Sequence, residues 1–253
     1  MKLWLTVAYD GRKFCGWQAQ DNGRSVQRTL SDAFGALYGR QCLVTGCSRT
    51  DSGVHARAYS CTVTFADKDG AEIDSVIPAR AVMRAINARL PEDVVVTDVR
   101  TADDSFHPRY SVKSKTYEYV FRDAEARSPF LTGLVTETSP ISDEAIARMD
   151  AAARAMCGER DFAAFMASGS KITDTVRTVY ECGVRREGEF VIFRVTADGF
   201  LYKMVRTMAG TALAAGRGRF EPEDIGTIIA SRERRQAGET LPACGLYLCE
   251  VRY

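Results

Sequence analysis

The clearest structural signal in the chain is the run Val54-His55-Ala56-Arg57-Ala58-Tyr59-Ser60-Cys61-Thr62-Val63-Thr64-Phe65. Apolar and polar side chains alternate along its second half. One face carries Tyr59, Cys61, Val63 and Phe65, and the other carries Ser60, Thr62 and Thr64. Because successive side chains of a strand point to opposite faces, this period of two predicts a β-strand over 54–65.

Strands and helices are predicted on both sides of this run. Before it we predict a strand over 2–9, a helix over 25–38 with Ser25 as its N-cap, a strand over 42–45 and a loop over 46–53. After it we predict a helix over 77–90 and a strand over 94–100. A second series has strands over 113–122, 176–186, 189–196 and 246–253, and helices over 142–157, 201–215 and 223–231.

This order of elements predicts an α+β protein of two similar lobes. Each lobe is expected to be an antiparallel sheet with helices on one face, in a ferredoxin-like or RRM-like manner, and a central cleft is expected between them. The predicted lobes are residues 1–103 and residues 104–253. No repeat is visible in the sequence itself, so the similarity of the lobes rests on the order of elements alone.

The composition is that of an ordinary globular protein. Of 253 residues, 45% are apolar and 26% are charged, which excludes disordered, collagen-like and low-complexity chains. No run approaches the roughly 18 apolar residues of a membrane span, and Asp10-Gly11 ends the first apolar run, which favours a strand over a signal peptide. The eight cysteines contain no C-x-x-C pair. We therefore expect no membrane contact and free thiols in a reducing cytoplasm.

Charge is distributed unevenly along the chain. The formal net charge is +1, but residues 1–60 carry eight basic and four acidic side chains. The segment 200–220 holds Lys203, Arg206, Arg217 and Arg219 with no acidic residue. The segment 100–122 carries five basic and three acidic side chains. Aromatic residues lie among the basic ones in the first segment, at Phe14 and Trp17, and in the segment 100–122, at Tyr110, Tyr117 and Tyr119. Such patches suit a polyanion whose bases can stack, although solvated basic faces have the same composition.

Several common catalytic motifs are missing from the sequence. It contains no G-x-x-x-x-G-K-[ST], no G-x-G-x-x-G, no G-x-S-x-G and no H-E-x-x-H. The two histidines, His55 and His107, lie far apart in the chain. We therefore expect neither a histidine-based triad nor a multi-histidine metal site, and we expect chemistry that uses carboxylates, arginine, lysine and tyrosine.

The most informative loop is Thr45-Gly46-Cys47-Ser48-Arg49-Thr50-Asp51-Ser52-Gly53-Val54-His55-Ala56. A short T-D-S-G run is by itself typical of an Asx turn. The longer pattern G-x-x-R-T-D-x-G-V-H-A resembles the catalytic loop of the tRNA pseudouridine synthase A family.

The resemblance continues along the chain in the family's order. The residues that carry it are 9–20 (YDGRKFCGWQAQ), 106–111 (FHPRYS), 115–119 (KTYEY), 161–165 (DFAAF), 176–179 (VRTV), 200–210 (FLYKMVRTMAG) and 242–248 (PACGLYL). It therefore extends from residue 9 to the last predicted strand.

The resemblance implies roles for individual residues. Asp51 matches the family's catalytic aspartate, Arg206 its active-site arginine and Tyr117 the tyrosine that packs on the target base. Leu246 is expected to wall the site, and Arg49 to enter the space left by a flipped nucleotide or to grip a flanking phosphate. The weaker candidates for contact with RNA are His55, Arg57, His107, Arg109 and Arg24.

The implied activity is conversion of uridine to pseudouridine in the anticodon stem-loop of tRNA, at positions 38, 39 and 40, by a cytoplasmic homodimer without a cofactor. One carboxylate could attack C1′ of the ribose, attack C6 of the ring, or remove the C2′ proton, and the sequence leaves these routes open. Two other classes of function are compatible with parts of the sequence. One is an RNA-binding module without catalysis. The other is a metal-dependent phosphotransferase, for which Asp103-Asp104 is the only acidic pair near a basic patch.

Overall fold

The computed structural model of the protein describes residues 2–21, 23–65 and 77–253. The strands are β1 (Lys2–Tyr9), β2 (Cys42–Gly46), β3 (His55–Phe65), β4 (Val94–Ala102), β5 (Ser114–Asp123), β6 (Thr136–Thr138), β7 (Gly158–Asp161), β8 (Val176–Glu187), β9 (Phe190–Ala197) and β10 (Leu246–Arg252). The α-helices are α1 (Val26–Tyr38), α2 (Ala79–Asn87), α3 (Asp143–Arg154), α4 (Met204–Gly216) and α5 (Asp224–Ser231). This mixture confirms the predicted α+β class.

The chain divides into two compact units. The first comprises residues 1–113 together with 248–253, and the second comprises residues 114–247. The predicted lobes 1–103 and 104–253, their similarity and the cleft between them stay predictions.

The first unit is built on an antiparallel sheet with β1 at its centre. β1 pairs with β3 on one side and with β4 on the other, and β2 pairs with β3. Leu5 of β1 lies opposite Cys61 and Val99, and it is fully buried. Helix α1 contacts β2, and α2 contacts β4. The resulting order β-α-β-β-α-β is that of the ferredoxin-like motif.

From Tyr59 to Val63 both faces of β3 are buried, including the face that carries Ser60 and Thr62. Two aromatic residues cover the buried Ser60. Its Oγ accepts a hydrogen bond from Trp4 Nε1 at 2.7 Å and lies 2.6 Å from the Tyr253 hydroxyl. The Trp4 ring packs against Phe106 and Tyr253 at centroid distances of 4.7 and 5.1 Å. The loop that carries Asp51 therefore leads into a strand whose middle part is covered on both sides.

The second unit has β9 at the centre of its own antiparallel sheet. β9 pairs with β5 and β8, β7 pairs with β8, and the short β6 runs parallel to β5. Helix α3 packs on β8 and on α4. Glu118 of β5 is buried, and its Oε1 lies 3.0 Å from Arg194 and 3.1 Å from Arg185. These two arginines balance a carboxylate that would be costly to bury alone.

Most predicted elements are present, with shifted ends. Ser25 caps α1 as predicted, since its Oγ accepts the Arg28 N–H at 3.3 Å. The helix predicted from residue 201 begins instead at Met204, because Lys203 adopts a left-handed conformation with φ of 58°. The sequence does not predict β6 and β7. Among the described residues, no helix is both long enough and apolar enough to cross a bilayer.

Candidate active site

Asp51 lies in the loop of residues 46–54, here called the Asp51 loop, which joins β2 to β3 in the first unit. The loop leaves the sheet at Gly46, which is still paired with Cys61 of β3. Within it Thr50 is buried, Asp51 is half-buried and Arg49 is exposed. The carboxylate thus sits next to an anchored residue while remaining partly open to solvent.

Residues 9–20, here called the opening segment, hold the Asp51 loop through main-chain hydrogen bonds. The Trp17 N–H donates to the Thr50 carbonyl at 3.2 Å. The Phe14 carbonyl accepts from the Gly53 N–H at 3.3 Å and from the Ser52 hydroxyl at 3.2 Å. The two segments that carry the strongest family resemblance are therefore one structural unit.

Two glycines of the opening segment permit this close approach. Gly16 has φ of 109°, and a Cβ atom there would lie 2.5 Å from the Thr50 carbonyl oxygen. A Cβ atom on Gly11 would lie 2.1 Å from the Val54 carbonyl oxygen. Any side chain at either position would push the two segments apart. This steric limit explains why glycine occupies both positions.

Two buried tyrosines reach the Asp51 loop with their hydroxyl groups. The Tyr9 hydroxyl lies 2.8 Å from Thr50 Oγ1. The Tyr59 hydroxyl donates to the Ser48 carbonyl and accepts the Ser48 N–H at 3.3 Å, while its ring stacks on Trp17 at 3.8 Å. Burial raises the pKa of Tyr59 well above its ordinary value, with Cys47 and Tyr9 adding to the effect. Tyr59 therefore stays protonated and keeps its role as a donor.

His55 lies inside the first unit rather than on its surface. Only 1% of the residue is exposed, and its Nδ1 accepts the Gly11 N–H at 3.0 Å. Asp10 Oδ1 lies 3.3 Å from the same nitrogen, and Asp10 also pairs with Arg12. His55 thus lies where the opening segment contacts β3. The contact of His55 with RNA stays a prediction.

The other predicted RNA contacts of the first unit differ in how they are held. Arg24 donates two hydrogen bonds of 2.7 Å to Asp93, which raise the pKa of Arg24, and its guanidinium lies 4.2 Å from the Phe14 ring centroid. His107 Nδ1 accepts the Arg109 N–H at 3.1 Å. The side chains of Arg57 and Arg109 are exposed. Both residues are therefore accessible from solvent, and their contact with RNA stays a prediction.

Tyr117, Arg206 and Leu246 all lie in the second unit. Tyr117 is on β5, and its buried ring meets Phe200 edge-on at a centroid distance of 5.1 Å. Arg206 is on α4 and donates from Nε to the Leu241 carbonyl at 2.7 Å. One residue further on, the Pro242 carbonyl accepts from the Tyr119 hydroxyl at 2.8 Å.

These contacts fix the segment that leads to Leu246. After Pro242 the chain makes one turn of 3-10 helix, Ala243–Gly245, and continues into buried Leu246. A Cβ atom on Gly245 would lie 2.7 Å from the Tyr119 ring, which explains why glycine precedes Leu246. Arg206 and Leu246 are therefore positioned by the same stretch of backbone.

Comparison with known proteins places the chain in one family. Residues 152–253 match the model of a family described as tRNA pseudouridine synthase. A tRNA pseudouridine synthase A of Ruminiclostridium cellulolyticum is 39% identical over 253 residues, which cover 100% of this chain and 99% of that protein. The proteins of that name from Clostridium acetobutylicum and Exiguobacterium are 37% and 36% identical, over 98% and 100% of this chain and 98% of each relative. The chain belongs to the tRNA pseudouridine synthase A family.

This member of the tRNA pseudouridine synthase A family uses contacts that the sequence pattern does not reveal. The pattern predicts Tyr59 only as an apolar strand residue, yet its hydroxyl bonds to Ser48. Tyr9 and Thr50 belong to separate motifs, and nothing in either motif indicates their mutual contact. Across 2–21, 23–65 and 77–253, no group of three or more His, Cys, Asp or Glu side chains could hold a metal ion.

Proposed function

We propose that this member of the tRNA pseudouridine synthase A family converts uridine to pseudouridine at positions 38, 39 and 40 of the anticodon stem-loop, with Asp51 as its catalytic carboxylate and without a cofactor. The protein is an enzyme that isomerises uridine in tRNA. The observation that carries the assignment of Asp51 is the construction of its loop. Backbone and side chains fix the loop on both sides of Asp51, while Asp51 itself remains half-buried.

The reaction needs little more than a placed carboxylate and a held base. The N1–C1′ bond breaks, the uracil turns while bound, C5 bonds to C1′, the C5 hydrogen leaves as a proton, and N1 takes up a proton. No electron is gained or lost overall. Asp51 would attack C1′, attack C6 of the ring, or take the C2′ proton, and each route requires an ionised carboxylate.

Tyr117, Arg206, Leu246 and Arg49 are proposed to bind the substrate. Stacking of the target base on Tyr117 would contribute about 1–3 kcal/mol. This is comparable with the few kcal/mol needed to take a base out of a helix. Leu246 would limit the movement of the detached uracil, and Arg206 would supply positive charge for the substrate. Arg49, which is exposed and lies two residues before Asp51, would fill the gap left by the flipped nucleotide or bind a flanking phosphate.

The remaining predicted residues are proposed to contact the tRNA backbone, and they differ in how accessible their side chains are. Arg57 and Arg109 are exposed and suit a phosphate directly. Arg24 would have to share its guanidinium with Asp93, and His107 uses Nδ1 within its own turn. His55 would need to be uncovered before it met RNA, since it is buried.

A cytoplasmic homodimer is proposed from the family resemblance. Two copies would combine the basic patches of a chain whose net charge is only +1. Light scattering of the purified protein is expected to give twice the chain mass of 27.9 kDa. A monomer at working concentration would contradict the homodimer.

Asp51→Asn tests the central assignment. Because the amide can neither attack carbon nor take a proton, turnover should fall by at least about 10³-fold. The measurement is release of tritium from tRNA labelled at uridine C5, alongside tRNA binding, which should change by no more than a few-fold.

The matched control is Asp32→Asn, which removes a carboxylate from the exposed surface of α1. It is expected to keep the wild-type rate. Normal turnover by Asp51→Asn would refute the catalytic role of Asp51. Mapping of pseudouridine in tRNA from cells that lack this gene tests the positions, and unchanged modification at 38–40 would refute them.

A further inference from the structure

We propose that the hydroxyl pair of Tyr9 and Thr50 is a positioning device for Asp51. The inference rests on the proposed catalytic role of Asp51. Thr50 directly precedes Asp51 in the chain, and its Oγ1 lies 2.8 Å from the Tyr9 hydroxyl. Neither residue touches the substrate in this proposal, so both act through Asp51.

Tyr9 provides a fixed reference point because it belongs to the central strand of its unit. It is paired with Ala56 of β3 and with Val94 of β4. Its ring packs against Phe14 and Tyr59, at centroid distances of 6.5 and 5.8 Å. The hydroxyl group is thus carried on a ring that sheet and packing hold in place.

Thr50 connects the Asp51 loop to this fixed ring. Its carbonyl is held by the Trp17 N–H, and its side chain is held by Tyr9. A threonine hydroxyl in a loop can otherwise bond to nearby backbone groups and favour a different turn. The bond to Tyr9 removes that alternative and fixes the direction in which the chain enters Asp51.

The burial of the pair makes the bond strongly favoured. Tyr9 and Thr50 are 5% and 9% exposed. A buried hydroxyl that loses its partner is left without adequate solvation, so the loop is expected to shift when either group is deleted. A misplacement of about 1 Å at a reacting group can cost about 100-fold in rate.

The test removes each hydroxyl while keeping the shape of the side chain. Tyr9→Phe and Thr50→Val are each expected to lower the single-turnover rate by about ten- to a hundredfold, with the Kd for tRNA changed less than about threefold. Thr50→Ser keeps the hydroxyl and is expected to restore most of the rate. The double variant is expected to be no slower than the slower single variant, because both substitutions break the same bond.

The matched control comes from the second unit. Thr175 is buried and donates a hydrogen bond from its Oγ1 to Asp161 Oδ1 at 2.6 Å, and it adjoins no proposed site residue. Thr175→Val is expected to lower the melting temperature, as Thr50→Val does, and to leave the single-turnover rate unchanged.

The outcomes separate this inference from the proposed function. Wild-type rates for both Tyr9→Phe and Thr50→Val, with Asp51→Asn inactive, would overturn the positioning role alone. Equal rate losses in Thr175→Val and Thr50→Val would also overturn it, because the effect would then be general destabilisation. An active Asp51→Asn would instead show that the proposed function has failed.

Discussion

Gly16 lies where the opening segment packs closely against Thr50 of the Asp51 loop. Its φ is 109°, and a Cβ atom placed on it would lie 2.5 Å from the Thr50 carbonyl oxygen, which leaves no room for a side chain. Gly16→Ala is therefore expected to lower the free energy of unfolding by about 1–3 kcal/mol through backbone strain. Because the clash falls on Thr50, the variant should also lose about tenfold or more in turnover. Chemical denaturation and tritium release measure the two effects.

Gly39 supplies the control for that substitution. It also has a positive φ, 66°, at the end of α1, but nothing lies within 4 Å of a Cβ atom there. Gly39→Ala is expected to cost about 1–2 kcal/mol from the left-handed conformation alone, with turnover unchanged in the folded protein. If Gly16→Ala were as active as Gly39→Ala, close packing at Gly16 would have no bearing on catalysis.

At the scale of single residues, the sequence predicts candidate site residues but not their contacts. Pattern matching singles out Asp51 and its neighbours, but the Tyr9–Thr50 and Tyr59–Ser48 bonds join residues of different elements. Such bonds depend on tertiary packing, which local periodicity does not encode. His55 is the opposite case, because the resemblance suggests a contact with RNA whereas the structure buries the residue, and the contact stays a prediction.

At the scale of elements, prediction succeeds where the periodic signal is long. The strand over 2–9 and the helix capped by Ser25 are present with the predicted bounds or within a residue of them. β6 and β7 have only 3 and 4 residues. Elements this short show no period, and they form because a neighbouring strand offers hydrogen bonds. The predicted start of α4 is wrong because apolar residues at helical spacing extend back to Leu201. The left-handed backbone of Lys203, which ends the helix on that side, is not indicated by the sequence.

The relation between elements explains why the resemblance is strong in separate stretches. Residues 9–20 and 46–54 are distant in sequence, yet they share hydrogen bonds and a glycine contact. In the second unit, α4 and the segment ahead of β10 are joined in the same way through Arg206 and Leu241. Each segment of such a pair limits which residues the other can carry. Both segments therefore keep a recognisable motif, although they lie far apart in the chain.

At the scale of the whole molecule, charge predicts how binding responds to salt. The net charge of +1 hides an excess of basic side chains in residues 1–60. Each phosphate contact adds about one unit to the slope of log affinity against log salt. Arg109 is exposed, close to His107 in the chain, and is proposed to make such a contact. Arg109→Gln is therefore expected to weaken tRNA binding and to reduce the slope by about one.

The control for this measurement is Arg235→Gln. The Arg235 side chain is 81% exposed but pairs with Glu233 at 2.7 Å, and no motif includes it. Both substitutions remove one positive charge, so a difference between them reports location rather than net charge. Filter binding across a salt series should show a reduced slope for Arg109→Gln and the wild-type slope for Arg235→Gln. A wild-type slope for Arg109→Gln, or slopes reduced equally in both variants, would mean that tRNA makes no contact particular to Arg109, and the proposed contact would have to be abandoned.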